Sequence, residues 1–411
     1  MNKRTSFLLG YTKYRFWLAI MTVAMCFLYI SIITNGQTNK PLNAILISWD
    51  GVQYEHLKEC LARKELPNLQ KIIDSGSFIP MWVYHVTDTK AGHSEMLSGY
   101  PPDVTEVYSN SNFKPVPDGY SIFSRLETAY GDDNIITVML TGKSHHIGSL
   151  GANETGAVRT LPRQQQTVLI QRISNLLQLD SAQVTLLRQR LPQLRTLLNT
   201  TQQSDTAQAL RLRQQLQQAR ARQDTTRQNL TVENSSGEPW FFEKQNMDVW
   251  NGDKQRNAEI VGPQAVSYLD QYKDKRFFMF FHFSDPDTKG HQFGENSQEY
   301  TNAIILCDAW LGKIVDALKK NKIYDNTMIY ITTDHGFNEG TAGHNFDPDI
   351  WLSATDKGLL GPGAQGDIIP TVLTRFDINI TALQPAYPGH NLFTKRDVPL
   401  KRPERTIRKE N

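Results

Sequence analysis

The chain has 411 residues, with 44 Lys and Arg against 42 Asp and Glu, and 39% of it is hydrophobic. At roughly 100–200 residues per domain this suits one large domain with an insertion, or two domains, with ample material for a buried core. A net charge of +2 argues against a globally basic nucleic-acid binder, three cysteines exclude a disulfide scaffold or cysteine-rich zinc module, and seven Trp, fifteen Tyr and eighteen Phe argue against disorder.

Lys3, Arg4, Lys13 and Arg15 precede an apolar run from Phe16 to Ile33. A basic flank followed by such a run predicts a signal peptide or signal anchor over residues 1–36, with Thr34 and Gly36 as a weak small-x-small cleavage site. Either alternative leaves the rest of the chain outside the cytoplasm: periplasmic, secreted, or membrane-anchored through this segment if it stays uncleaved. From about residue 41 the pattern alternates strand and helix. Ala44–Trp49, Ile135–Leu140, Phe277–Phe283 and Met328–Ile331 read as strands. Leu66–Ile73 and stretches near 257–272 and 296–319 read as helices. Apolar runs alternating with helices predict a mostly parallel sheet covered on both faces.

Residues 161–230 differ in kind, with seventeen Gln, fifteen Leu, ten Arg, three Asp and no Lys, Glu, Gly or aromatic residue. Leu187, Leu191, Leu194 and Leu198, then Ala209, Leu212, Leu216 and Ala219, form two seams at helical spacing around the polar turn Asn199–Asp205. This predicts an inserted, coiled-coil-type α-helical hairpin kinked at Pro192, its Arg and Gln most simply a solvated face. Entering just after Thr141, it is expected to rise beside the site and contact substrate or a protein partner. Residues 395–411 form a basic tail, most simply solvated.

Asp50, Asp287 and Asp334 each closely follow an apolar run. Ligands of open α/β sheets bind beyond the strand carboxyl ends, so the three acids are expected on one rim. Each taken singly could equally cap a helix. Two of them carry histidines: Asp287 lies four residues before His291 in DPDTKGH, a segment read as a sharp loop at Gly290, and Asp334-His335-Gly336 precedes His344. Carboxylate oxygen and imidazole nitrogen are zinc ligands, and open mixed sites suit catalysis. Two sites can be assembled, Asp287 with His291 and His344, and Asp50 with Asp334 and His335. His282, in FFHF, reads as an ordinary core or hydrogen-bonding histidine. Thr89 supplies a hydroxyl ahead of a short helix, where a bound dication would stabilise its alkoxide and the helix N-terminus would favour an anionic substrate. Read alone, Thr89 is merely a capping threonine.

Asp50-Gly51, Thr89-Lys-Ala-Gly-His93, Asp287-x-x-Gly-His291, Asp334-His335-Gly336, His344 and Asp367–Leu373 together resemble the alkaline phosphatase superfamily, and within it the type I phosphodiesterase/nucleotide pyrophosphatase family. The resemblance implies an α/β fold, an alkaline-phosphatase-like three-layer α/β/α sandwich with a mostly parallel central sheet. The catalytic domain would comprise 41–160 and 231–394, interrupted by the hairpin. It also implies two divalent metal ions, most simply Zn2+. Asp287, His291 and His344 would hold one; Asp50, Asp334, His335 and the nucleophile Thr89 the other. His390 is the alternative late ligand. Asn110, eleven residues after Gly99, would hydrogen-bond the transferred phosphoryl group. Lys-Ala-Gly replaces the Phe-Pro-Asn common in nucleotide pyrophosphatases, and the sulfatase pattern Cys-x-Pro-x-Arg is absent.

The implied function is hydrolysis of small-molecule phosphate esters through a phosphothreonine, with no binding of nucleic-acid duplexes. Alternatives are a phosphomonoesterase on the same site and an envelope scaffold with a degenerate catalytic domain. The segments around Thr89 and Asn110 hold no Arg; Lys90 is the close cation and Lys143 a weaker candidate. So few cations predict a preference for the less charged diester.

Overall fold

The computed structural model describes residues 43–144, 239–240, 242–243, 247–252, 255–345 and 347–404. The apolar run 16–33, the predicted hairpin 161–230 and the last seven residues lie outside them. Among the described residues no helix is long and apolar enough to cross a membrane.

The chain begins with β1 (Asn43–Trp49), α1 (Tyr54–Ala62), α2 (Pro67–Ser75) and β2 (Ser77–Trp82). It continues through α3 (Thr89–Ser98), α4 (Ile122–Tyr130), β3 (Ile136–Leu140) and β4 (Val249–Asn251). Then come α5 (Ala258–Tyr272), β5 (Phe277–Phe283), α6 (Asp285–Phe293) and α7 (Gln298–Lys320). β6 (Thr327–Thr332), β7 (Asp349–Ala354), β8 (Gly363–Ala364) and α8 (Ile368–Arg375) complete the order.

The eight strands form one sheet in the order β4-β3-β5-β1-β6-β7-β2-β8. β1 pairs in parallel with β5 and β6, and β3 with β4 and β5, while β7 runs antiparallel to both β6 and β2. Every residue of β1, β5 and β6 is buried. These strands are apolar almost throughout because helices cover both sides of a parallel sheet. Their side chains alternate between two cores. Ala44, Leu46, Phe278 and Phe280 pack on one face with residues of α3, α4 and α8. Ile45, Ile47, Met279 and Phe281 pack on the other with α1, α2, α5 and α7. The result is the three-layer α/β/α sandwich expected from the sequence.

Two helices depart from simple local signals. The residue before α2 is Leu66, whose side chain cannot cap. Asp308 of α7 substitutes, its carboxylate accepting the backbone N–H groups of Leu69 at 2.6 Å and Asn68 at 3.1 Å. The Asp285–Phe293 segment, read as a loop at Gly290, is instead helix α6. Asp285-Pro286 opens it in the position Pro favours. Gly290 is there for space, since a Cβ would sit 2.6 Å from the ring of Phe337.

The described part of the basic tail is not simply solvated. Arg396 pairs with Asp367, Arg402 with Asp349, and Tyr84 donates its hydroxyl to the carbonyl of Lys401 at 2.8 Å.

Glu127 of α4 is buried and accepts a 2.5 Å hydrogen bond from the Thr137 hydroxyl of β3. Burial pushes its carboxyl up to about 8, against the Thr137 bond, with Glu243 adding to the rise. The folded chain therefore holds a proton that the unfolded chain releases from about pH 4.5, so stability falls as pH rises through this window to about 8. Glu127→Gln, which keeps the acceptor, should raise stability near pH 8.5 by on the order of 2 kcal/mol and change it little at pH 4. Urea denaturation at the two pH values measures the difference.

Candidate active site

Four adjacent parallel strands, β3, β5, β1 and β6, end on the same rim, and each delivers a polar group there. Asp50 follows β1, Lys143 follows β3 in Thr141-Gly142-Lys143, Asp287 lies in the first turn of α6 after β5, and Asp334-His335 follow β6. This is the switch-point rule applied four times. From the opposite face α3 brings Thr89 as its first residue, with Asp88 preceding it as the cap. The whole of α3 is buried. Gly92 permits this approach, because a Cβ there would lie 2.7 Å from the carbonyl oxygen of Asp334. That contact gives a local reason for the small residues of Lys90-Ala91-Gly92.

The carboxylates are held from one side only. Asp50 Oδ2 contacts His282 Nε2 and Lys143 Nζ, both at 2.8 Å. Asp334 Oδ1 accepts the N–H of Gly51 at 3.1 Å. Asp287 Oδ2 meets Lys143 Nζ at 2.5 Å. The remaining oxygens, Asp50 Oδ1, Asp287 Oδ1 and Asp334 Oδ2, are buried without a hydrogen-bond partner.

The histidines have the complementary arrangement. His335 Nδ1 lies 3.0 Å from the carbonyl of Gly336, His344 Nδ1 2.6 Å from that of Thr87, and His291 Nδ1 2.8 Å from that of Ala342. A carbonyl only accepts, so each Nδ1 carries a proton, and in the neutral ring that metal ligation requires each Nε2 would present its lone pair. Those Nε2 atoms converge. His335 Nε2 is 3.2 Å from Asp334 Oδ2 and 3.6 Å from Asp50 Oδ1; His344 Nε2 is 3.1 Å from His291 Nε2, which lies 3.4 Å from Asp287 Oδ1. Three orphaned carboxylate oxygens facing three imidazole lone pairs, with backbone carbonyls fixing the tautomers, fit divalent metal ions. Ligand atoms of Asp50, Asp334 and His335 lie within 4.8 Å of one another, as do those of Asp287, His335 and His344. His335 thus lies between the two groups. His291 joins the second from its edge, with a side chain 48% exposed.

Thr89 Oγ1 is 3.4 Å from His335 Nε2 and 3.2 Å from Lys143 Nζ. Asn110 is tied to the same helix start: its Oδ1 accepts the N–H of Lys90 at 2.9 Å, and its own N–H donates to Asp88 at 2.8 Å. Lys90 Nζ donates to the Asn110 carbonyl at 3.1 Å and lies 3.3 Å from the centre of the Phe113 ring. His93 contacts Ser48 Oγ and the carbonyl of Thr89, each at 2.9 Å, and Asp334 at 3.3 Å. His390 belongs elsewhere, bonded to the carbonyl of Thr394 and to Asp367.

The field of the site follows from these contacts. Burial disfavours charge on Asp287, but Lys143, His335 and His291 outweigh it and hold the carboxyl down to about 2. Burial also opposes charge on Asp334, yet His335 and His93 keep it well below the usual carboxylate range. Lys143 is raised despite burial by Asp287, Asp50 and Asp334. Burial and His335 push His344 down to about 3, so its imidazole is neutral.

Two positions make more contacts with the acids than the sequence suggests. Lys143 stands at the centre of the acids. His282 pins Asp50 through Nε2 and receives the N–H of Gly142 on Nδ1 at 3.0 Å. The usable signal was positional: both sit at strand ends or in strands that deliver the acids.

A model of the type I phosphodiesterase / nucleotide pyrophosphatase family matches residues 44–386. The human ectonucleotide pyrophosphatase/phosphodiesterase family member 5 is 30% identical over 118 residues, 29% of this chain and 24% of that protein. Family member 7 of Rattus norvegicus is 27% identical over 125 residues, 29% of this chain and 28% of that protein. The chain therefore aligns with about a quarter of the length of these relatives. Among solved structures, the lipoteichoic acid synthase LtaP from Listeria monocytogenes superposes with a TM-score of 0.45 at 13% identity, over 85% of this chain and 75% of that one.

If His344 rather than His390 is the late ligand, His344→Ala should lose about one equivalent of metal and His390→Ala none. Metal analysis of the two purified variants beside the wild type decides it.

Proposed function

The chain belongs to the type I phosphodiesterase / nucleotide pyrophosphatase family, and on that premise we propose that it hydrolyses phosphate esters through a phosphothreonine formed on Thr89. The observation that carries this reading is the position of Thr89 Oγ1 at a helix N-terminus, 3.4 Å from His335, the histidine common to both acid–histidine groups, and 3.2 Å from Lys143. We assign the ions as two divalent cations, Zn2+ by donor chemistry, one held by Asp50, Asp334, His335 and Thr89 and the other by Asp287, His291 and His344. When bound they supply Lewis-acid charge to the nucleophile and to the phosphoryl oxygens.

The protein's own groups do the rest. Thr89 Oγ attacks phosphorus, the bond from phosphorus to the leaving oxygen breaks, and the leaving group departs with the electron pair. The threonine proton passes through solvent to the leaving alcohol. Water then attacks the phosphothreonine, returning Thr89 and releasing the phosphoryl product. The backbone N–H groups opening α3 favour negative charge at Thr89. Asn110, fixed to the N–H of Lys90, is assigned the phosphoryl oxygens as a side-chain donor. His93 orients the turn by accepting from Ser48 and donating to the Thr89 carbonyl. Small-molecule phosphate esters are the assigned substrates and an extracytoplasmic compartment the assigned location. The latter rests on the basic-apolar N-terminus, with membrane attachment only if that segment is retained.

Thr89→Ala should lower turnover of a nitrophenyl phosphate ester by several orders of magnitude, roughly 10³-fold or more, while folding and most metal binding persist through six other ligands. Steady-state kinetics with metal analysis of the same sample tests this. Near-wild-type activity in the variant removes Thr89 as nucleophile.

A further inference from the structure

We propose that His85 is a positioning residue of this site: a buried imidazolium behind the rim that clamps helix α3 to the turn at Gln365 and so fixes Thr89 relative to Asp334. The inference rests on the hydrolase reading above for what is positioned, and it gives that task to a residue outside the ligand set.

The charge follows from the hydrogen-bond partners. His85 lies between β2 and α3, with a side chain only 6% exposed. Its Nδ1 is 2.7 Å from the carbonyl of Val86, which can only accept. Its Nε2 is 2.8 Å from Glu95 Oε2 and 3.1 Å from Gln365 Oε1. The Gln365 amide cannot turn round to offer a donor there. Its Nε2 donates to the Asp334 carbonyl at 2.9 Å, with the Thr333 carbonyl at 3.5 Å, and a reversed amide would set oxygen against both. Each ring nitrogen of His85 therefore faces acceptors, and each carries a proton. Burial opposes that charge, yet Glu95, the Val86 carbonyl and Gln365 raise the imidazole above the usual histidine value.

The clamp joins three pieces of the molecule. Glu95 belongs to α3, the helix that begins with Thr89. Gln365 opens the short 3-10 turn Gln365–Asp367 ahead of α8 and holds the backbone of Asp334. Glycines let these pieces touch. A Cβ at Gly366 would lie 2.7 Å from Glu95 Oε1, and one at Gly92 would lie 2.7 Å from the Asp334 carbonyl that Gln365 holds. His85 also opens the segment that supports His344: the Thr87 carbonyl takes the His344 Nδ1 proton, and the Thr87 hydroxyl donates to the His344 carbonyl. One cation thus ties together the nucleophile's helix, the Asp334 backbone and the support of His344.

Energetics favour a role in geometry over one in stability. Desolvating two charges offsets most of their attraction, so a buried ion pair contributes little net stability. Its contribution is direction, because every N–H of the imidazolium has a fixed acceptor on a different segment. Precision of this kind matters to a nucleophile, for which a misplacement of about 1 Å costs on the order of 100-fold in rate.

The test uses the full chain with zinc, as wild type, Glu95→Gln, His85→Gln and the double variant, assayed on a nitrophenyl phosphate ester. Each single variant should lower kcat roughly 10–100-fold with KM held within about twofold and metal content unchanged. The double variant should fall no further than the worse single one, because the pair acts as a unit. A kcat within about twofold of wild type in either single variant, a loss carried by KM or by missing metal, or losses that multiply in the double variant overturn the proposal. Should the variants not fold, a neutron crystal structure of the wild type decides: deuterium on both ring nitrogens of His85 supports the clamp, and one bare nitrogen overturns it. A wild type that hydrolyses no phosphate ester overturns the hydrolase reading, and the neutron structure then judges the clamp separately.

Discussion

Three buried carboxylates on one rim are the constraint around which the molecule is arranged. Asp50, Asp287 and Asp334 are almost fully removed from water, and each keeps one oxygen without a hydrogen bond. Unpaired, such charges would cost several kcal/mol each after relaxation. The surrounding fold supplies positive charge and donors instead: Lys143 from β3, His282 from β5, the N–H of Gly51, and the histidines that follow β6. The sheet order sets four strand ends side by side, which makes so dense a set of ionisable groups compatible with a rigid scaffold.

The scaffold pays back that rigidity in tautomer control. His291, His335 and His344 each give one proton to a backbone carbonyl, and two of those carbonyls lie in the segment 336–344. That segment is itself held from outside: Gln53 donates to the Phe337 carbonyl at 3.1 Å, and Glu295 accepts the N–H of Gly340 at 3.1 Å while contacting His56 at 2.8 Å. The orientation of these imidazoles thus depends on contacts farther out, from residues in and just before α1 and just before α7.

The acids and histidines were legible because they sit in short motifs immediately after apolar runs, where chain order and strand polarity alone specify a rim. Strand β7 was not, since Asp349–Ala354 is one short apolar stretch whose antiparallel direction comes only from its pairing with β6 and β2. Strand β2 contains Pro80 and alternates in burial, a pattern weaker than the continuous runs of β1 and β5. Helix α6 is hidden in the sequence because a glycine signals backbone freedom, whereas Gly290 leaves room for the ring of Phe337. The place of Lys143 is hidden for a different reason: the three acids around it come from three other strands or helices, and no local spacing encodes that convergence.

The tail has a consequence for where the folding unit ends. Recognisable family sequence stops at residue 386, but Asp367, fully buried, accepts the N–H groups of Ala364 and His390 and pairs with Arg396. Arg402 does the same for Asp349 at the start of β7. A polypeptide cut at the last matched residue would leave the buried Asp367 carboxylate without the guanidinium of Arg396 and without the N–H of His390. The cooperative unit therefore extends at least ten residues past the point at which sequence similarity gives out, so a protease-resistant fragment of this domain should retain Arg396.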